Sequence, residues 1–427
     1  MIKNFQEVII DFEKIGHNGT TIGRVNNKIV FSYGVLPGER VKIKICQDKK
    51  NFLKGEPIEI IKPSHFRIEP LENHYLSCSP WQVFDYNFQV ELKKNILEEI
   101  FVEFAQQRLN LDYFYSAKDI FEYRTKIEYS FLEENNNYFL AFYRRDNFRE
   151  KIKLESGCLL MDKEANLVSL DILEKINKNK LKNLKSLIIR KTRKTDDIHF
   201  SLLTTDNKQN FIYKNDKISG FVFAYTDPKS PASKFDEILN SWGKGHLEEK
   251  ILDLLILYPY DSFFQNNIEL FEEVLKIIRH NSQEFNKVVD LYSGVGVIGL
   301  SLKDKAKNIF AIDFDKKAID YSKLNAEING VKNFKSFALA SEKIPLTILD
   351  RVDLLILDPP RAGLHKKLIN LIIKTKPNNI FYLSCNPITQ ARDIFYLKDF
   401  YLIDKLYAFD FYPQTPHLES LAILKRK

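Results

Sequence analysis

The sequence has few cysteines, and this scarcity excludes a scaffold held together by disulfides. Only 4 of the 427 residues are Cys, and their spacing shows no pairing pattern. Such usage is typical of a reducing compartment. Long apolar runs are also missing, since the longest, such as residues 251–258, are far shorter than a membrane span. Because residues 1–10 do not read as a signal peptide either, we expect a cytoplasmic protein without a membrane anchor.

A strong charge bias is likewise absent. The formal net charge is +7, and 28% of the residues are charged. An excess of this size suits a polyanionic partner, but many proteins without such a partner carry as much. Lys and Arg are concentrated in residues 143–153 and 178–194, where apolar or aromatic residues separate them. These segments are either solvated faces or part of a nucleic-acid-binding surface.

A chain of 427 residues is too long for one compact core, and its pattern divides into three parts. Residues 1–62 contain five short β-like runs separated by turns, which predicts a small OB-like, RNA-binding barrel. Residues 63–250 mix strands and helices, which predicts an α+β central domain. Hydrophobic periodicity predicts a helix over 86–107, which would pack on the last domain. It also predicts one or two helices over 232–258, which would lead into that domain.

Residues 251–427 alternate strands and helices, which is the pattern of a parallel sheet flanked by helices. The predicted strands are KVVDLY, NIFAIDFD, KSFALA, VDLLILD and NIFYLSC. Two final strand-like runs, residues 401–413 and 419–427, have no helix between them. They predict an antiparallel hairpin at the sheet edge. The expected fold class is therefore α/β.

The segment VVDLYSGVGVIGL, residues 288–300, runs from a strand through a glycine-rich turn into a helix. Gly294 and Gly296 allow a tight turn and the close approach of a ligand to the backbone. Asp313 ends the next strand, where a carboxylate can accept hydrogen bonds from both hydroxyls of a ribose. The dinucleotide fingerprint is incomplete, and the pattern resembles the S-adenosylmethionine-dependent methyltransferase fold instead. Asp358, in LLILDPPRAGL, is expected at the carboxyl end of another strand and so at the same crevice.

One of the few cysteines, Cys385, directly follows an apolar strand in FYLSCNPIT and precedes an Asn-Pro turn. It is either a half-buried structural thiol or a nucleophile at the rim of the sheet. Glu419 begins the final strand, which should run antiparallel, so its start lies on the rim where the parallel strands end. A thiol and a carboxylate beside a methyl donor suit methylation of uracil at C5. A thiolate that adds to C6 makes C5 nucleophilic, and a base then removes the C5 proton.

The motifs FFQNN, DLYSGVGVIGL, LDPPRAG, YLSCNP and PHLE occur in this order. Together they resemble the RNA 5-methyluridine (uracil-C5) methyltransferase family, and GVLPGERVKIKI resembles the TRAM domain, an RNA-binding barrel. The resemblance implies an S-adenosylmethionine-dependent enzyme with Cys385 as nucleophile and Glu419 as base, acting on a uridine that leaves its stack. The residues that it implies for the methyl donor are Gln265, Tyr292, Gly294, Gly296, Asp313 and Asp358. Those that it implies for RNA are Phe263, which would stack on the uracil, Arg124 and Lys126.

The cysteine positions depart from the pattern of this family. Many members bind an iron–sulfur cluster through four cysteines, but only Cys78 and Cys158 match those positions, and Cys46 lies in a barrel strand. Because two cysteines cannot supply four ligands, we predict no cluster and no other metal, with Trp81 and neighbouring apolar residues filling the space. A contact to the methyl donor can also be lost at two positions that are often polar in the family, Val297 and Ala340.

Two other functions remain open. An adenine amino-methyltransferase also has a D/N-P-P turn, but with an aromatic residue where Arg361 stands and without a cysteine nucleophile. A non-catalytic RNA-binding or RNA-folding protein would have kept the fold alone, which the complete set of Asp358, Cys385 and Glu419 disfavours. For the substrate, the TRAM-like barrel favours ribosomal RNA, most simply 23S, over transfer RNA, because transfer-RNA members of the family usually lack it. We expect a monomer.

Overall fold

The structure, a computed structural model, describes residues 6–108, 111–145, 150–230 and 233–427. Residues 146–149 of the basic segment 143–153 lie outside these ranges, as does residue 232 of the predicted helices. Within the described ranges the strands form a barrel, two larger sheets and a separate hairpin. No described helix has both the length and the apolar composition that crossing a bilayer requires.

The first five strands close into a barrel, as predicted. They are β1 (Glu7–Ile15), β2 (Thr21–Val25), β3 (Lys28–Ser32), β4 (Arg40–Asp48) and β5 (Phe52–Lys62). Their order is β1-β2-β3-β5-β4, and inward side chains such as Val30 and Ile43 form a core of their own. Glu39, in the turn before β4, is 1% exposed and accepts a hydrogen bond of 2.6 Å from the guanidinium of Arg67. This buried ion pair fixes the segment that leaves the barrel.

The middle of the chain forms a seven-stranded sheet and several elements that pack elsewhere. In chain order, the α-helices and strands of this part are α1 (Tyr75–Cys78), α2 (Tyr86–Ile100), β6 (Tyr113–Tyr115), β7 (Lys126–Glu134), β8 (Asn137–Tyr143), β9 (Lys151–Lys153), α3 (Lys163–Lys178), β10 (Leu184–Lys191), β11 (Ile198–Thr204), β12 (Gly220–Tyr225) and β13 (Glu237–Gly243). The sheet order is β13-β12-β11-β10-β7-β8-β9. Strands β7 and β8 pair with each other, with Ser130 opposite Ala141.

Helix α2 is shorter than the predicted 86–107. Asp85 caps its first turn by accepting a backbone N–H. The α-helix ends at Ile100, and a π-helical turn (Phe101–Ala105) continues the chain. Its apolar face, including Ile96 and Leu97, packs into the core of the C-terminal sheet, as expected. The helix therefore belongs structurally to the sheet that follows it much later in the sequence.

The prediction of helices over 232–258 is wrong. This segment forms β13 and a hairpin of β14 (His246–Ile251) and β15 (Leu254–Pro259). Buried and less buried residues alternate along the hairpin, with Leu247 and Ile256 among the buried ones. The period of two outweighs the helix propensity of the Glu, Lys and Leu residues once a partner strand is available.

The C-terminal part alternates strands and helices, as predicted. Its elements are α4 (Ile268–Asn281), β16 (Phe285–Leu291), α5 (Val297–Ser301), β17 (Ala306–Asp313), α6 (Lys316–Ile328), β18 (Phe334–Ala338), α7 (Leu346–Leu349), β19 (Leu354–Leu357), α8 (Lys366–Thr375), β20 (Asn379–Ser384), α9 (Pro387–Leu397), β21 (Tyr401–Phe409) and β22 (Glu419–Arg426). The sheet order is β18-β17-β16-β19-β20-β22-β21-β6. Strands β16 to β20 are parallel, and β22 is antiparallel to both of its neighbours.

Both faces of this sheet are covered. Val288 and Ile356 belong to one core cluster, whereas Val289 and Leu357 belong to the cluster on the opposite face. Near-continuous apolar strands are therefore buried on both sides, as is usual for parallel sheets. The predicted closing hairpin exists, but it is not the edge of the sheet, because β6 pairs with β21 outside it. The order in which the chain adds strands reverses between β16 and β19, and ligands of such sheets bind beyond the strand ends at that point.

Candidate active site

The turn after β16 lies at this switch point. Gly294 has φ +52°, and a side chain there would meet nothing within 4 Å, so the turn faces open space. Gly296 has φ +90°, and a Cβ there would lie 2.5 Å from the hydroxyl of Ser322, which makes glycine necessary. The Gly294 N–H donates to the carboxylate of Asp313 at 2.9 Å. The acidic strand end and the glycine turn are therefore one unit, as predicted from the sequence.

Three further predicted residues surround the turn. Asp358 directly follows β19, and the Gln265 side chain donates to its carboxylate at 3.4 Å. Burial, together with the negative charge of Asp313, raises the pKa of Asp358 to about 7. Tyr292 has φ +63°, and its hydroxyl accepts a hydrogen bond of 2.7 Å from Ser341. The structure thus brings the predicted methyl-donor residues together at one crevice.

Asp290 lies under the turn and was not predicted as a site residue. It is fully buried, and one carboxylate oxygen accepts the N–H of Gly299 at 2.9 Å. Its other oxygen has no hydrogen-bond partner among the described residues. Burial raises the pKa of Asp290 to about 8. Its structural role could have been recognised from the sequence, because Asp290 is the first residue of the pattern D-x-x-x-G-x-G. There it fixes the start of α5 under the glycine turn.

Cys385 lies one residue beyond β20, where Pro387 begins α9 and ends the strand ladder. The pairing of β20 with β22 places Ser384 opposite Ser420. The next pair outward is therefore Cys385 and Glu419. Burial, together with the charge of Glu419, raises the pKa of the Cys385 thiol to about 12. The two residues predicted to react are thus neighbours across the end of the sheet.

Glu419 is the first residue of β22 and is only 4% exposed. Burial raises its pKa well above the ordinary value, and the charge of Asp358 adds to the rise. A carboxylate with a raised pKa is a stronger base than an exposed one, which suits proton abstraction from carbon. Desolvation and like charge together therefore favour Glu419 as a base.

Arg361 and His417 were not predicted as site residues, although both stand in quoted motifs. The Arg361 guanidinium lies 3.4 Å from the imidazole of His417, and its carbonyl accepts a hydrogen bond of 2.8 Å from the Asn386 side chain. The positive charge of Arg361 lowers the pKa of both Cys385 and Glu419, opposing their burial. Burial, with the charge of Arg361, lowers the pKa of His417 to about 3, so this imidazole is neutral. Both residues could have been found from the sequence by their positions, because Arg361 follows DPP and His417 shortly precedes Glu419.

The residues predicted to contact RNA lie around the same rim. The Phe263 ring is 71% exposed, which is unusual for a large apolar side chain. Arg124 stacks at 5.9 Å over the Tyr412 ring, and its Nε has no hydrogen-bond partner among the described residues. Lys126 is opposite Arg190 in the central sheet, and burial together with that charge lowers its pKa. Arg190, which was missed, donates to the Tyr260 carbonyl at 2.6 Å and to the Ser262 carbonyl, and so holds the loop that carries Phe263.

The structure also brings Cys78 close to Cys158, as expected, but the surroundings are not the predicted ones. Trp81 does not fill this space. It packs in the core of the C-terminal sheet, and its indole N–H donates to the barrel carbonyl of Gly19 at 3.0 Å. Polar side chains, Glu72 and His74, stand beside the two thiols instead. The predicted apolar filling by Trp81 is therefore wrong.

A doubly wound sheet with a glycine turn and an acidic strand end at its switch point defines a nucleotide-binding α/β enzyme. Residues 248–427 match the model of the tRNA (Uracil-5-)-methyltransferase family, and residues 3–58 match that of the TRAM domain. Residues 248–427 therefore form a domain of this RNA (uracil-C5) methyltransferase family, and residues 3–58 form a TRAM domain. The predictions of the family, of the methyltransferase fold and of an S-adenosylmethionine-dependent enzyme are confirmed at this level.

Individual proteins agree with this assignment. An uncharacterized RNA methyltransferase of Clostridium acetobutylicum is 29% identical over 99% of this chain and 97% of its own. One of Nanoarchaeum equitans is 29% identical over 98% of this chain and 93% of its own. The solved Pyrococcus abyssi tRNA (uracil-54, C5)-methyltransferase, in complex with S-adenosyl-L-homocysteine, is similar over 98% of this chain and 100% of that one. Its TM-score is 0.78 and its sequence identity 23%, so it supports the fold.

Proposed function

We propose that this protein transfers a methyl group from S-adenosylmethionine to C5 of a uridine in RNA through a covalent bond between Cys385 and C6. The observation that supports the proposal is the register of β20 and β22, whose last pair is Ser384 and Ser420, so that Cys385 and Glu419 are the next residues outward on the two strands. This pair stands at the strand ends, and the charge of Asp358, beside the switch point, acts on the pKa of both groups.

The residues of the crevice fit S-adenosylmethionine. Gly294 leaves open space beside the backbone, and the Asp313 carboxylate next to it suits ribose hydroxyls. Asp358 and Gln265, 3.4 Å apart, offer an acceptor and an amide that suit the amino-acid part of the molecule. Tyr292 and Gly296 complete the cradle. S-adenosylmethionine, when bound, supplies an electrophilic methyl group to this crevice.

The two reacting residues would act in sequence on the uracil ring. The Cys385 thiol would give its proton to solvent, and the thiolate would form a bond to C6 while the C5–C6 π electrons move toward C5. Carbon 5 would then form a bond to the methyl group as the bond between that group and the donor sulfur breaks, which would leave S-adenosyl-L-homocysteine, and carbon 5 would still carry its own proton. Glu419 removes that proton, and its electron pair re-forms the C5–C6 bond as the thiolate leaves C6. The ring ends methylated, with the thiolate regenerated and the proton on Glu419.

The target base has to leave its stack to reach this rim, which favours loops and unpaired sites. Phe263, exposed at the rim, would stack on the extruded uracil, while Arg124 and Lys126 would contact the RNA beside it. The N-terminal barrel, residues 1–62, and the central part, residues 63–250, would bind the remainder of the RNA. The enzyme would act on that RNA as a monomer in the cytoplasm.

Ribosomal RNA is our first candidate substrate, because the chain carries a TRAM barrel. Transfer RNA is the second candidate, and a specific observation supports it. The transfer-RNA enzyme of Pyrococcus abyssi aligns over 98% of this chain, a span that includes the barrel, so a barrel does not by itself argue for ribosomal RNA. Mapping of 5-methyluridine in ribosomal and transfer RNA from cells with and without the gene would separate the two candidates.

The proposed chemistry is tested by two substitutions. Cys385→Ala should abolish methylation, whereas Glu419→Gln should lower turnover roughly 10²–10⁴-fold. Because Glu419→Gln blocks only the last step, it should also accumulate a covalent protein–RNA adduct, visible as a shifted band on a denaturing gel. Cys46→Ala, in the barrel strand β4, is the matched cysteine control and should keep full turnover.

Labelled methyl donor and RNA also separate the alternatives. Product at adenine N6 would support the amino-methyltransferase, and RNA binding without any methylation would support a non-catalytic binding protein. A Cys385→Ala enzyme that still methylates C5 would exclude the covalent mechanism.

A further inference from the structure

Four side chains that can bind a metal converge at the junction of the segment before α2 and the loop before α3. They are Glu72, His74, Cys78 and Cys158, and their ligand atoms all lie within 4.8 Å of one another. Tetrahedral zinc requires ligand atoms roughly 3.3–3.8 Å apart, as bonds of about 2.0–2.3 Å dictate. Closure around an ion therefore needs movements of only about 1 Å.

His74 is oriented as a metal ligand would be. Its side chain is only 5% exposed. Nδ1 lies 3.2 Å from the side-chain oxygen of Asn73, which is an acceptor only, so Nδ1 carries the proton. Nε2 is buried and has no hydrogen-bond partner among the described residues, although it lies 3.1 Å from Glu72. A ring with one nitrogen held by an oxygen and the other directed at thiols and a carboxylate is typical of metal-bound histidine.

The other ligands are also held from outside. The Glu72 carboxylate accepts the N–H of Leu159 at 2.6 Å and the side-chain N–H of Gln82 at 3.3 Å. The N–H of Cys158 donates to the Tyr129 hydroxyl at 3.1 Å. These contacts hold the Glu72 carboxylate and the backbone of Cys158, whose ligand atoms lie within 4.8 Å of each other. Such supporting contacts are expected around a built metal site.

This donor set does not fit the iron–sulfur cluster of the family, which takes four thiolates. Two thiolates, one imidazole and one carboxylate instead match the ligands of a closed tetrahedral zinc site. We infer that this chain binds one zinc ion through Glu72, His74, Cys78 and Cys158, in place of a cluster. This inference replaces our prediction from the sequence that no metal is bound.

The zinc would have a structural role at the RNA-binding side of the molecule. It would join the 72–78 segment to the loop at Cys158. In that loop, the Leu160 carbonyl accepts a hydrogen bond of 3.0 Å from the backbone N–H of Arg124. The ion would therefore fix the strand start that carries Arg124, without taking part in methyl transfer. Four protein ligands leave no open position, which is the usual arrangement of structural zinc.

The test is metal analysis of the full-length protein purified anaerobically and passed through a chelator. We expect about one equivalent of zinc per chain and no acid-labile sulfide. His74→Ala and Cys78→Ser should lose this zinc, while Cys46→Ser, the matched cysteine control outside the cluster, should retain it. Asn73→Ala removes only the support of His74 and should weaken zinc affinity roughly 10–100-fold.

Replacement of zinc by cobalt gives a second readout that does not depend on activity. The cobalt protein should show the visible bands of a tetrahedral ion and a thiolate charge-transfer band, both absent in Cys78→Ser. Metal-free wild-type protein, with Glu72 and His74 as an ordinary ion pair, would overturn the inference. Stoichiometric iron with sulfide would overturn it as well, because a cluster would then occupy the site.

Discussion

At the scale of single residues, the protonation state of Cys385 decides when chemistry can begin. Burial and the neighbouring Glu419 raise the pKa of its thiol to about 12, so the free enzyme holds the thiol form at neutral pH. Only the thiolate is nucleophilic. Below a pKa this high, the thiolate fraction grows about tenfold for each unit of pH. We therefore expect alkylation of Cys385 by iodoacetamide to accelerate from about pH 7 to about pH 10 without a plateau.

Mass spectrometry of the peptide that carries Cys385 measures this rate. Glu419→Gln removes a negative neighbour and should speed alkylation at each pH, because it lowers the thiol pKa. Arg361→Ala removes a positive neighbour and should slow it, because it raises that pKa. A plateau near neutral pH in the wild-type enzyme would contradict the burial argument.

The residues of the site were predictable where a single strand end determined their position. Asp313, Asp358 and Cys385 each follow an apolar strand, so their common rim could be inferred from the parallel order. Glu72 and His74 were missed for a physical reason. They lie in a segment without periodic structure, and their value depends on Cys158, which only the tertiary fold brings near. The sequence showed the missing cysteines but not the side chains in their place.

At the scale of elements, helix α2 holds the 410–418 loop, which joins β21 to β22 and leads to Glu419. The Lys93 ammonium donates to the Asp410 carboxylate at 2.5 Å, and both side chains are fully buried. Lys93 also donates to the Tyr412 carbonyl at 3.2 Å, and the Tyr86 hydroxyl donates to Asp410 at 2.9 Å. Charges buried this deeply stay ionised only as a pair. The helix and the loop are therefore coupled.

Lys93→Met should leave Asp410 buried without its counter-charge and so destabilise the protein by about 3–5 kcal/mol. Lys94→Met is the matched control, because Lys94 pairs with the exposed Glu91 and its loss should change stability by about 0.5 kcal/mol or less. Urea unfolding of the three proteins measures the difference. Equal midpoints for the two variants would show that the buried pair does not stabilise the loop.

Elements were predictable from the sequence where burial imposed a clear period. The strands of the C-terminal sheet are covered on both faces and read as apolar runs, and α2 shows a helical stripe. β6, of three residues, carries no such signal, because only its pairing with the distant β21 makes it a strand. The hairpin of β14 and β15 was taken for helix because its residues favour helices locally. In both cases a contact remote in sequence determines the structure.

At the scale of the whole molecule, the barrel, the central sheet and the segment before α2 meet at the 410–418 loop. The Trp81 backbone N–H donates to the Gln414 carbonyl at 3.0 Å, while its indole binds the barrel at Gly19. From the central part, the Tyr123 hydroxyl donates to the Pro413 carbonyl at 3.1 Å. Parts of the chain that we propose to bind RNA are therefore in direct contact with the loop that leads to Glu419. Docking of the barrel should influence the catalytic geometry.

Gly19→Ala tests this coupling. The residue has φ +79°, and an added Cβ would lie 1.9 Å from the Cβ of Pro416, so the barrel and the loop must separate. Gly38→Ala is the matched control, with φ +83° and nothing within 4 Å of the added Cβ. Both variants carry the same backbone strain, of about 1 kcal/mol. Only Gly19→Ala should lower kcat/KM for RNA, roughly 10–100-fold, because it should misplace Glu419. Binding of S-adenosyl-L-homocysteine should be unchanged in both, because neither glycine is among the residues proposed to hold the methyl donor. Equal losses of kcat/KM in the two variants would show that barrel docking does not act on the site.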